Sequence, residues 1–466
     1  MSNNLYIFSN DLRLSDNKAL FEASKHSDSL EVAFLYNPKK WESHNESPLK
    51  IRFQLANLEI LKKDLKGLNI NLKIIYADGI EEESLKILEE AELIGASGVY
   101  INKEYGINER RRDAALKNTL ETKNINLNIF DSSIINPDLI KTGSDTFFKV
   151  FTPYSRSFRS LLSKNFLELC PSPLKQKILL KESDEIPEFI LESKLHEDAL
   201  ALYKPGEIAA QEILEDFIET KVKDYKKLRD FPKLDSTSGL SPYFASGIIS
   251  AKTCVNLLLN YSEDTPGTGE YSWFNEVIWR EFYKYIIYHY PRVSMKKSFN
   301  EKYEDVSWRD DETSFKAWCN GNTGIPLIDA AMTQLNETGW MHNRLRMVTA
   351  MFLSKNLLID WKKGEEYFMK NLIDGDHSSN VGGWQWSAST GVDAAPYFRI
   401  FNPITQSEKF DKEGDFIKKF IPLLSKLSSK EIHNPGPEIR KKVNYPAMIV
   451  DLSSSRKRAI ETFSNI

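Results

Sequence analysis

LYIFSNDLRLSDN, residues 5–17, opens as a short apolar run and breaks into a polar tail. Four more runs repeat that pattern: EVAFLY (31–36), NLKIIYA (71–77), GVYIN (98–102) and INLNIF (125–130). Between them, SPLKIRFQLANLEILKKDLK (47–66) and EEESLKILEEAEL (81–93) carry helical period. Strands alternating with helices at this spacing predict a parallel, doubly wound α/β sheet. Such sheets bind ligands beyond the carboxyl ends of their strands. The ends here are SNDLRLSDN (9–17), YNPKKWESHNESP (36–48) and NKEYGINERRRD (102–113). All are polar, and Asn45, Asn108 and Glu109 could hydrogen-bond a polar ring. Solvated loops are the competing reading of each. No GxGxxG follows the first run, so no dinucleotide site is expected there.

The 466 residues exceed one ordinary core, so more than one domain is expected. We expect an α/β domain over 1–132, an interdomain connection over 133–203, and an all-α domain over 204–466. The connection includes the aromatic-rich SDTFFKVFTPYSRSFRSLL (144–162). The last region contains GEIAAQEILEDFIETKVKDYKKL (206–228), SWFNEVIWREFYKYIIYHY (272–290) and HNRLRMVTAMFLSKNLLI (342–359), all with helical period. A formal charge of −4 gives no global attraction to nucleic acid, though a local basic patch could supply one. Cys170, Cys254 and Cys319 are odd in number and far apart, which fits a reduced, cytoplasmic setting. No signal peptide or membrane-length apolar run is evident. The seven histidines form no HxH or HxxxH pair, so no metal site is expected. No GxSxG elbow points to a serine hydrolase.

Eight of the nine tryptophans fall between Trp273 and Trp386. On a helix, Trp273, Glu276, Trp279, Arg280 and Tyr283 share one face, and Trp340, Asn343, Arg344 and Met347 share another. A face meant only for packing would carry Leu or Ile, because unpaired buried charge is costly. Aromatics mixed with carboxylate, amide and guanidinium groups suit a flat, hydrogen-bonding ligand. A Trp-rich packed core is the competing reading. LDSTSGLSPYFASG (234–247) sets hydroxyls and backbone N–H groups before a helix, as phosphates prefer, or simply caps it.

TSGLSP (237–242), WFNEVIWREFY (273–283), GIPLIDAAMTQLNETGWMHNRLRM (324–347), LLIDW (357–361) and DGDHSSNVGGWQWSASTGVDAAPYFRIFNP (374–403) closely resemble the DNA photolyase/cryptochrome family. Within it they look like the class I cyclobutane pyrimidine dimer photolyases. The likeness runs from NDLRLSDN (10–17) to NPITQSEKFD (402–411). It implies an antenna-chromophore domain followed by a helical FAD domain. The family's chemistry is light-driven electron transfer from reduced flavin to a dimer, which a photolyase takes out of the duplex.

The resemblance also implies roles. Tyr225, Thr237, Ser238, Gly239, Leu240, Ser241, Trp273, Arg280, Trp340, Arg346, Asp374 and Asp376 match FAD-binding positions, with Asn380 beside the flavin ring. Arg346 is placed to pair with Asp374. Glu276, Trp279, Asn343, Arg344, Met347, Trp384 and Trp386 match the dimer-binding face. There Glu276, buried and protonated, would donate to a carbonyl, and Arg344 would hold a phosphate. Glu276, Asn343 and Asn380 are the catalytic candidates. Trp384, Trp361 and Trp308 match the tryptophan relay that re-reduces FAD. Lys355, Lys409, Lys412 and Lys418 join Arg344 as candidates for a DNA rim, with a solvated helix face the competing reading of each lysine. His44, Asn45, Asn108 and Glu109 match members that bind 5,10-methenyltetrahydrofolate as antenna. PRVSMKK (291–297) lacks the Cys-Lys pair some of those present, so deazaflavin or an empty antenna site stays open. Ser9 stands where Arg is common. The partner implied is dimer-containing DNA, with a monomeric enzyme and no membrane or obligate protein partner. A cryptochrome-like photoreceptor without repair activity is the alternative. Asn343 after His342 and Asn380 beside the flavin favour repair of cyclobutane dimers.

Overall fold

Leu5 and Ile7 turn to one face of their strand, and Tyr6 and Phe8 to the other, as period two requires. Both faces are buried, so the strand lies inside a sandwich. The computed structural model describes residues 2–162, 164–191 and 194–466. Its strands are β1 (Asn3–Phe8), β2 (Ser29–Tyr36), β3 (Asn71–Tyr76), β4 (Ala96–Asn102) and β5 (Asn126–Phe130). They form one parallel sheet in the order β3-β2-β1-β4-β5. The expected α/β sheet is present.

Helices α1 (Lys18–Lys25) and α2 (Pro48–Gly67) cover one face of this sheet, and α3 (Ile80–Leu93) and α4 (Ile107–Glu121) the other. Asn17 starts α1 by accepting from the Leu20 amide at 3.2 Å. The α3/α4 face closes its own core with Ile87, Leu88, Ala91, Leu116 and Leu120. The α1/α2 face runs on into the core of the helical region, so the two halves share apolar contacts. Chain beyond residue 132 packs on its neighbours. Asp184 accepts from Ile74 N at 2.9 Å and donates its own N–H to Leu72 O at 2.8 Å, which covers the edge of β3. Helix α5 (Phe151–Leu161) packs against the long helix α6 (Gly269–His289).

The remaining helices that carry site residues are α7 (Pro326–Thr338), α8 (Asn343–Met351), α9 (Trp361–Asn371) and α10 (His377–Ala388), with α11 (Leu452–Ser464) near the end. Two segments read as single helices are broken. Residues 206–228 run as α-helix over Glu207–Asp216, widen to a π turn over Phe217–Lys221, tighten over Val222–Asp224 and resume at Tyr225–Leu228. The change of pitch keeps Phe217, Ile218, Val222 and Tyr225 all buried. After α8 the chain takes a second π turn, Phe352–Asn356. It buries Lys355, which therefore belongs to no DNA rim. Lys355 is 0% exposed, and its ammonium lies 3.4 Å from the Phe463 ring centre of α11. Among the described residues, no helix is long and apolar enough to cross a membrane.

Candidate functional site

Helices α6, α8 and α10 converge with the 237–241 loop around a cavity of about 500 Å³. Every FAD-matched residue lines it: Tyr225, Thr237, Ser238, Gly239, Leu240, Ser241, Trp273, Arg280, Trp340, Arg346, Asp374, Asp376 and Asn380. So do Glu276, Trp279, Asn343, Met347, Trp384 and Trp386 from the dimer-matched set. Residues as far apart in the chain as Tyr225 and Trp386 thus meet in one space.

The wall is held by its own hydrogen bonds. Trp340 Nε1 donates to Ser241 Oγ at 3.1 Å, fixing the loop against the start of α8. Arg346 Nη2 donates to Asp374 Oδ2 at 2.7 Å, and Nε to the Met341 carbonyl at 2.7 Å. Asp374 Oδ1 is buried without a partner, so the cavity offers a free acceptor. Asp376 caps α10 by accepting from Ser379 N at 2.8 Å. Burial pushes its carboxyl up, but Arg280 and Lys284 outweigh that and hold it below the usual range. Gly383 faces the cavity, with nothing within 4 Å of where a Cβ would stand, whereas Gly382 packs on the Tyr283 ring. Only one of the two glycines therefore opens the site. Hydroxyls, free backbone, an orphan carboxylate oxygen and aromatic walls fit a flavin nucleotide.

Asn380 is placed by a residue that sequence reading missed. Its Nδ2 donates to Glu365 Oε1 at 2.9 Å and to the Glu365 carbonyl at 3.1 Å. Both amide hydrogens are used, so Oδ1 is left for a ligand. Burial raises the Glu365 carboxyl above the usual range, against the pull of His377 and Lys296. No motif signals Glu365; only its 15-residue separation from Asn380 across a turn brings the two together.

Two roles are corrected. Glu276 was expected buried and protonated. Its side chain is 33% exposed, and Oε1 accepts from Arg229, a cavity residue missing from the sequence list. Oε1 is therefore already engaged by a guanidinium, a partner the sequence did not suggest. Arg344 was expected on the cavity face, ready for a phosphate. It points away, donating to Asp230 Oδ2 at 2.7 Å and lying over the Phe410 ring. Trp340, Asn343 and Met347 do line the cavity, although Trp340 precedes α8, so Arg344 alone departs from the expected face.

His342 caps α8 through Nδ1, which accepts from the Arg344 amide at 3.2 Å. It is 1% exposed, and burial pushes its imidazole down to about 4 from an ordinary 6.5. Folding therefore favours the neutral ring. As pH falls below 6.5, the unfolded chain takes a proton that the folded one refuses until about pH 4. Stability is expected to drop across that window by about 3 kcal/mol. His342→Asn, which keeps a capping acceptor, should flatten that part of the melting-temperature profile. An unchanged profile would contradict the assignment.

In the matched relay, Trp384 is buried, with Phe368 at 4.9 Å and Trp318 at 6.0 Å between ring centres. Its ring tip rests on Gly364, where any Cβ would collide. Gly364 lies one turn after Trp361 on α9. Trp308 is partly buried and meets the Phe463 ring edge-on at 5.8 Å. Trp318 was not singled out from sequence.

A second cavity, of about 280 Å³, opens at the carboxyl ends of the strands. It is lined by His44, Asn45, Asn108 and Glu109 as expected, and by Phe8, Phe34 and Leu35 deeper in. Asn108 Nδ2 and His44 Nε2 are 3.0 Å apart, and burial lowers the His44 imidazole. Among the described residues, no His, Cys, Asp or Glu group of three or more is arranged to hold a metal ion.

Comparison with known proteins fits this geometry. A model described as DNA photolyase matches residues 4–173, and one described as the FAD binding domain of DNA photolyase matches 273–465. The deoxyribodipyrimidine photo-lyase of Vibrio cholerae is 38% identical, covering 98% of each chain. This chain belongs to the DNA photolyase family. Among solved structures, a bacterial class III photolyase from Agrobacterium tumefaciens superposes with a TM-score of 0.90 at 33% identity, covering 100% of this chain and 98% of its own. A Synechocystis cryptochrome gives 0.87 at 26% identity, covering 99% of each. The fold is thus shared with a photolyase and with a cryptochrome.

Proposed function

We propose that the protein is a light-driven deoxyribodipyrimidine photo-lyase acting on cyclobutane dimers. The observation that carries this is one cavity holding both the flavin-matched wall and a dimer-matched mouth of Trp279, Trp386, Glu276 and Asn343. FAD, when bound and reduced, supplies a light-driven electron to the dimer and takes it back. The chain's own groups orient and exclude water. Trp279 and Trp386 offer flat faces to the apolar flanks of a flipped dimer, where stacking is worth roughly 1–3 kcal/mol per base. Glu276, fixed by Arg229, accepts from a ring N–H. Asn343 donates to a carbonyl. Asn380 turns its carbonyl oxygen inward, because Glu365 holds its amide hydrogens.

The strand-end cavity is the antenna site in this reading, with 5,10-methenyltetrahydrofolate as first choice. His44, Asn108 and Glu109 form its polar rim, while the apolar depth at Phe8, Phe34 and Leu35 is what a deazaflavin would use instead. Domains over 1–132, 133–203 and 204–466, a monomeric state and a cytoplasmic location complete the proposal. Class I is favoured over the class III neighbour only by the motif likeness.

The test is repair of an oligonucleotide carrying a cyclobutane thymine dimer by reduced protein, in blue light and in darkness, with a (6-4) lesion in parallel. Light-dependent loss of the cyclobutane dimer alone is expected. Loss of the (6-4) lesion alone would mean Asn343 was misread. Loss of neither, from protein that still binds FAD, would favour a photoreceptor.

A further inference from the structure

Trp279 is one of the aromatics that line the cavity, and one face of its ring is occupied. Phe151, the first residue of α5, lies face to face on it, with ring centres 3.7 Å apart and planes 6° from parallel. Phe282 meets both rings edge-on, at 5.8 and 5.7 Å. Phe151 itself does not line the cavity. It comes from the aromatic segment that sequence reading assigned only to a connection.

Its mount is also specific. α5 has no cap from its own preceding side chain. Instead Phe151 N donates to Asp393 Oδ2 at 3.0 Å. Asp393 lies in the loop that leaves α10, and two residues on, Ala395 N donates to the Trp386 carbonyl at 3.2 Å. The backing of one tryptophan is therefore tied to the loop beneath the other.

We infer that Phe151 is a positioning residue for dimer recognition: stacked on one face of Trp279, with Tyr283 tilted against the same ring at 5.5 Å, it fixes the plane that ring presents. This rests on the reading of the cavity mouth as the dimer site. A tryptophan free to swing would lose rotamer freedom on stacking with a flipped base; one already clamped loses less, and the saving appears as affinity.

The experiment uses the flavin-loaded protein, with binding measured in darkness to oligonucleotides with and without a thymine dimer. Phe151→Leu keeps bulk but removes the flat face. It should weaken dimer binding by roughly three- to tenfold, the range of one aromatic pair, and leave undamaged DNA binding and repair yield per bound dimer unchanged. Phe151→Tyr, which keeps the face, should restore parent affinity. In a Trp279→Leu background, Phe151→Leu should change nothing further. Equal weakening in both backgrounds, or none in the parent, would overturn the inference. If Trp279→Leu alone left dimer binding intact, the reading of the mouth would be what failed, and the role of Phe151 would fall with it. Flavin content and melting temperature of each variant separate these outcomes from simple unfolding.

Discussion

Arg346→Leu protein is expected to purify with little flavin. Asp374 is 3% exposed at its side chain, and Arg346 is its cationic partner at 2.7 Å. Removing one member of a buried pair leaves the other charge uncompensated, which costs about 3–5 kcal/mol. Part of that falls on folding and part on the cavity wall that Asp374 Oδ1 faces. If most of it reaches the ligand, flavin affinity falls by roughly two to three orders of magnitude. The flavin absorption band per protein after purification measures this, and a melt of the flavin-free form apportions the cost. Arg346→Lys should be intermediate, because an ammonium cannot hold both Asp374 and the Met341 carbonyl in one plane as the guanidinium fork does. Stoichiometric flavin in the Leu variant would show that the pair braces only the helix.

Trp384→Phe should abolish light-driven reduction of oxidised flavin while leaving dimer repair by chemically reduced protein. Trp384 lines the flavin cavity and touches α9 one turn from Trp361, so it is the only matched relay member at the cavity wall. Phenylalanine keeps most of the volume against Phe368 but is far harder to oxidise. Transient absorption under blue light, followed by the repair assay with dithionite-reduced protein, separates the two functions. Trp361→Phe gives the complementary result. If it also blocks reduction, electrons reach Trp384 through α9. If reduction persists, they arrive through Trp318, the edge-on neighbour at 6.0 Å. Loss of repair by pre-reduced Trp384→Phe protein would instead place Trp384 in the dimer chemistry.

The sheet was legible because alternation writes itself into short runs: each of the five predicted strands lies within about two residues of its observed bounds. The cavity was legible where one helix carries several contributors, as α6 does. It was illegible where partners are far apart in the chain. Arg229 and Glu276 are 47 residues apart, and Arg344 and Asp230 are 114 apart. No spacing rule links them, so the Arg229 partner of Glu276 and the Asp230 partner of Arg344 were both missed. Lys355 was misread for a different reason. A lone lysine beside apolar residues looks like a solvated helix edge, but a π turn rotates it inward onto Phe463. Pitch changes of this kind arise from tertiary packing and leave no local signature.

The two cavities share a wall. Phe244, Ala245, Arg280 and Asp376 line both. Arg280 donates to the Phe244 carbonyl at 3.2 Å, and with Lys284 it holds the Asp376 carboxyl below its usual range. A ligand on one side that shifted these four groups would alter the wall met by a ligand on the other, and any such coupling would act equally in both directions, because linkage between binding sites is reciprocal.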